Sequence, residues 1–204
     1  MYQNAFSKLD EQESEAMLAE VNPLFQNVCF DPASATLLAC DLGFYPDCRF
    51  IDVADYKSVP PARRFLVYKA GHPVVLNWTN EPIYALNKNV PIQLTVDNVA
   101  DYVRFFFSYV RGRHGRFRVA ESVNDISWHE DPPPAARKAV GRMIQPIQLI
   151  GRDKDGTFNL FVCLVFRDSL LRTTVRVLTD GHVSLGDEEL LVEDMPVRDD
   201  TFGQ

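Results

Sequence analysis

In residues 94–117, LTVDNVADYVRFFFSYVRGRHGRF, apolar side chains recur at three- and four-residue steps on two sides of one stretch. Val99, Val103, Phe106, Phe107 and Val110 form one stripe, and Tyr102, Phe105 and Tyr109 form another. That spacing predicts a helix apolar around most of its girth, which neighbouring elements must cover on more than one side. Thr95 is placed to cap its start, Asp97 and Asp101 set negative charge in its first turns, and Gly112 marks an end near Arg111.

After this helix the pattern turns to alternation. Residues 117–123 read as a strand, and residues 137–150 as a longer one in which Pro146 marks an edge or a bulge. Residues 158–166, FNLFVCLVF, are apolar on both alternating faces, which predicts a central strand. Residues 171–178 alternate again, and residues 182–185 and 190–192 read as short final strands.

Before the helix, residues 7–21 predict a helix capped by Ser7, and Asp31-Pro32 opens a second one running to Leu42. Residues 49–53 form a strand, and residues 65–68 and 74–78 form a hairpin about Gly71-His72-Pro73. Residues 83–86 and 90–94 read as short extended pieces. The expected fold class is α+β: a long apolar central helix packed on a curved antiparallel sheet of about five strands, with two N-terminal helices and a hairpin. Residues 1–198 are expected to form a single domain, with residues 1–60 a helical N-terminal subregion of it and residues 199–204 a frayed tail.

Composition leaves this picture standing. The chain has 204 residues, 46% hydrophobic and 24% charged, which suits one substantial core and excludes wholesale disorder. The net charge of −7 argues against a generic nucleic-acid binder. Charge is unevenly placed: residues 95–180 carry 13 basic and 10 acidic side chains, whereas residues 181–204 carry 1 and 7. The acidic C-terminal segment therefore complements the basic stretch that ends the central helix. Cys29, Cys40, Cys48 and Cys163 form no close pairs of the zinc or redox kind and read as buried thiols, although sequence separation alone permits a Cys40–Cys48 bridge. The first twenty residues hold five acids and no apolar run, and no stretch is long enough to cross a bilayer, so a cytoplasmic protein is expected.

Candidate chemistry is sparse. There is no nucleophile elbow, Gly-rich phosphate loop or H-E-x-x-H, and the four histidines fall in turns or loops. No catalytic residue, metal site or cofactor is expected. The basic collar of Arg111, Arg113, His114, Arg116 and Arg118 is a candidate site for an anion or an acidic protein surface. Helix-dipole compensation in a solvated turn is its ordinary alternative. Arg172 and Arg176 share one face of a strand, where Arg118 and Arg142 from neighbouring strands could join them; cross-strand ion pairs are the ordinary outcome there. Tyr102, Phe105 and Tyr109, with Trp128, His129 and Glu130 beside the proline run, are candidates to line a pocket. Two readings follow. The first is a non-catalytic binding module holding a protein partner. The second is a small-molecule enzyme or carrier with a pocket between the central helix and the sheet.

Overall fold

The structure is a computed structural model that describes residues 5–112 and 115–198. It is α+β with antiparallel sheets, and the described chain divides into two compact units, each built on its own sheet of five strands. Among the described residues, no helix is long and apolar enough to cross a membrane.

The N-terminal unit comprises residues 5–77 and 81–91. Its elements are β1 (Ser7–Lys8), α1 (Glu11–Val21), β2 (Thr36–Asp41), β3 (Arg49–Asp55), β4 (Ala62–Tyr68), β5 (Val74–Leu76) and α2 (Glu81–Asn89). The five strands follow one another in order, each antiparallel to the next. Asp10, not Ser7, caps α1 by accepting from the Glu13 amide at 2.8 Å, because Ser7 is already committed to the ladder opposite Ala39. Met17, Leu18 and Val21 of α1 pack with Phe30, Ile51, Val53 and Leu66. Burying a side chain such as Leu18 or Ile51 completely contributes about 2 kcal/mol.

Two further expectations fail in this unit. The second helix predicted from Asp31-Pro32 is only one turn, closed by the Ala35 amide on the Asp31 carbonyl at 2.8 Å, and residues 36–41 become β2. Leu37 and Ala39 then face α1, so the apolar run TLLAC serves a strand as well as it would a helix. Conversely, residues 83–86 are not extended but lie in α2, where Pro82 occupies the tolerant first turn and Ile83 and Leu86 are buried at helical spacing.

The C-terminal unit comprises residues 78–80 and 92–198 among those described. It contains α3 (Val99–Tyr109), β6 (Phe117–Val119), α4 (Pro134–Met143), β7 (Gln148–Arg152), β8 (Phe158–Phe166), β9 (Ser169–Val177) and β10 (Val183–Val192). β8 is central: β9 pairs along one edge, while β6 and β7 share the other. One face carries Phe117, Phe166, Leu164 and Val175 towards α3, where Phe107 meets Phe117 edge-on at 6.3 Å. The opposite face carries Cys163, Val165 and Leu170, covered by Ala120, Ile126, Ile144 and Met195, with Val140 of α4 packed against them.

α3 has eleven residues, begins at Val99 and ends at Tyr109, short of both expected limits. The Thr95 hydroxyl accepts from the Asp97 amide at 3.3 Å, as its capping position leads one to expect. It heads a turn before the helix, however, in which its own amide donates to Asn98 Oδ1 at 2.8 Å and Val96 is exposed. The strand predicted over residues 137–150 is overturned. Pro133 is extended, Pro134 starts α4, and only Gln148–Arg152 joins the sheet. Residues 183–185 and 190–192 belong to one strand, β10, interrupted by a register shift at Gly186-Asp187, and His182 lies just before it. A Cβ at Gly186 would lie 3.2 Å from the Thr174 carbonyl oxygen, which is why the irregularity sits at a glycine. The tail 199–204, Arg113 and His114 lie outside the described residues.

Candidate functional site

At the end of α3 the chain leaves the helix at Val110, and the Arg111 amide donates to the Trp78 carbonyl at 2.7 Å. Gly112 and Gly115 exchange backbone bonds of 2.8 and 3.3 Å. This geometry brings Arg111 and Arg116 to one indole. The Arg111 guanidinium lies 4.1 Å from the Trp78 ring centroid and that of Arg116 lies 5.8 Å away. Tyr109 stacks on the same ring at 6.4 Å, and Arg116 donates to the Ser108 carbonyl at 2.8 Å. Trp78 holds a left-handed backbone at φ 69°, which costs a bulky residue about 1–2 kcal/mol and is sustained by the surrounding stack. Trp78, Tyr109, Arg111 and Arg116 are all half-buried, so the cluster is a ledge rather than an interior.

The other candidate arginines have different surroundings. The register puts Arg118, Arg172 and Arg176 on one sheet face, because Arg118 is opposite Val165, and Val165 is opposite Leu170. They make no continuous basic stripe. Arg172 pairs with Glu189 at 3.4 Å, Arg176 with Asp153 at 3.5 Å, and Arg118 donates to the Arg198 carbonyl at 3.4 Å. Arg142 lies on α4, not on a neighbouring strand. Arg104, within the basic stretch, is held by Glu121 through two bonds of 2.7 Å and by Asp101 through a third. Hydrogen bonding to Arg104 holds the Glu121 carboxyl below its ordinary range against the opposing effect of burial, and the same contact raises Arg104.

The six candidate pocket residues are not gathered. Tyr102 and Phe105 are fully buried, and the Tyr102 hydroxyl donates to the Gly181 carbonyl at 2.6 Å. Tyr109 belongs to the Trp78 ledge. Trp128 packs with the cluster on the sheet face opposite α3, whereas His129 and Glu130 are exposed. The Trp128 loop is pinned by the His129 amide donating to the Pro196 carbonyl at 2.7 Å. All four cysteines are free thiols; burial, then Asp41, pushes the Cys40 thiol up to about 11. Among the described residues, no group of three or more His, Cys, Asp or Glu side chains is placed to hold a metal ion.

Two features escaped the sequence reading. Trp78 read as the last residue of a strand, although it sits among Asn77, Thr79 and Asn80, a polar turn cluster in which a tryptophan stands out. The second is a depression of about 460 Å³ lined by Val123, Pro134, Arg137, Lys138, Gly141 and Arg142, visible only once residues 134–143 are a helix. Comparison with protein-family models, curated proteins and solved structures finds no match for this chain.

Proposed function

We propose that this chain is a non-catalytic binding module whose Trp78 ledge engages an acidic segment of a protein partner. The observation that carries the reading is the Arg111 guanidinium stacked 4.1 Å over the half-buried Trp78 ring. Stacking orders a long cationic side chain before any partner arrives, so less rotamer entropy is lost on binding a carboxylate. Arg116 adds a second cation to the same ring. The full burial of Tyr102 and Phe105 supports this reading over the carrier or enzyme alternative, which needs those aromatics to line an accessible pocket.

The test is binding of a glutamate-rich peptide by the full chain at low and at moderate salt. Arg111→Ala/Arg116→Ala should weaken binding about fivefold, from roughly 0.5 kcal/mol for each half-exposed ionic contact. Arg111→Lys keeps the charge but loses the planar stack, and should recover only part of the affinity. Wild-type affinity in the double alanine variant, or binding indifferent to salt, refutes the proposal. Tighter binding of a single-stranded oligonucleotide than of the peptide would redirect it to nucleic acid.

A further inference from the structure

We propose that the depression on α4 receives the acidic edge of β10 from a second copy of this chain. The depression has an apolar floor and a cationic rim. Val123 and Pro134 form part of the floor, and a Cβ at Gly141 would stand 3.5 Å from the Val123 Cβ, so the helix backbone itself closes the gap. Lys138 and Arg142, one helical turn apart, are exposed at the rim. Arg137 is already oriented by Asn124 Oδ1 at 2.8 Å, with Asp131 at 3.8 Å. Such a site fits an aliphatic side chain flanked by carboxylates.

The chain presents that chemistry on β10. Leu190 is 47% exposed, and Asp187, Glu188 and Glu189 precede it, all exposed. β10 ends the sheet order, so this segment lies on an edge strand. Glu188 and Leu190 stand opposite Thr173 and Leu171 in the ladder. Val192 stands opposite Leu170, on the face where Val140 of α4 packs. Glu188 and Leu190 therefore face away from α4, and the contact must form between two chains. Leu190 enters over Val123 and Gly141, while Glu188 meets Lys138 and Arg142. Two different patches meet, so the association is head-to-tail and each associated pair keeps one free groove and one free edge. The contact does not use the Trp78 ledge.

Sedimentation of the full chain at low salt, over a concentration series up to the millimolar range, tests this. Wild type should self-associate, and added salt should weaken the association. Lys138→Glu/Arg142→Glu, altering the groove, and Glu188→Lys/Leu190→Ser, altering the edge, should each abolish it. Mixing the two variants should restore a single contact, from the intact edge of one to the intact groove of the other, and give a species of twice the monomer mass. Gly141→Leu provides a variant that keeps every charge, improves helix propensity and fills the groove, and it should also remain monomeric. A monomeric wild type, association that survives either double variant, or a mixture that stays monomeric overturns the proposal. So does a monomeric wild type whose groove binds an added Asp-Glu-Glu-Leu-Leu peptide, since the occupant would then be a foreign acidic segment.

Discussion

Replacing Glu121 with glutamine tests a polar tie that links three segments of the C-terminal unit. Glu121 accepts from Arg104 Nε and Nη2, both at 2.7 Å, and from the Ile147 amide at 3.2 Å. It thereby joins α3 to the residues after β6 and to the lead into β7. The two side chains are each 22% exposed, so solvent screens the pair only partly. Glutamine keeps one acceptor oxygen, turns the other into a donor facing a donor, and removes the charge. A hydrogen bond to a charged group contributes roughly 1.5–3 kcal/mol, and the partial exposure here places the loss at about 2 kcal/mol. For a chain of this size that lowers Tm by about 4–8 °C at neutral pH. The sign of the pH dependence follows from the depressed carboxyl. Its contribution is complete above the ordinary value of 4.5 and is lost as pH falls through the lower folded value. Wild type and Glu121→Gln should thus differ at pH 7 and converge as pH falls below 4.5 and through the lower folded value, when melting is followed by circular dichroism. Equal melting at pH 7, or a gap that persists undiminished at low pH, would refute the assignment.

Two further outcomes follow from buried groups. Tyr102→Phe removes a hydroxyl and leaves the Gly181 carbonyl without that donor, which should cost about 1–2 kcal/mol by urea denaturation; unchanged stability would show that the bond contributes nothing. A thiol reagent at pH 8 should modify Cys29 alone in the native protein, because Cys40, Cys48 and Cys163 are buried and burial raises the first two thiols. Denaturant should release the other three, and a second fast-reacting thiol in native protein would contradict the burial.

How far the fold could be read depends on whether a segment's partners leave a mark in its own residues. FNLFVCLVF has nine residues with apolar side chains on both faces, and only a strand flanked on both edges and covered on both faces uses all of them. Residues 36–40 carry no such mark. A run without alternation has no period, and pairing with five residues of β3 decides its form. Residues 137–150 read as a strand, yet Pro134 is suited to a first helical turn and AARKAVGRM contains good helix formers, so α4 takes up Pro134–Met143.

The candidate sites were harder to read because charge along a chain does not give charge at a surface. Residues 104–118 contain five arginines and no acid, but Arg104 finds Glu121 from beyond that window. Arg172 and Arg176 find Glu189 and Asp153 from other strands. Three of the arginines thus became ties within the fold through carboxylates 17 or more positions away. Arg111 and Arg116 differ in converging on an indole placed by a separate segment, 33 and 38 positions earlier. That convergence depends on Trp78 adopting a left-handed backbone that tryptophan has no intrinsic preference for. A locally unfavourable conformation, maintained to hold two cations over one ring at a half-exposed position, is where sequence rules should fail if the ledge is functional.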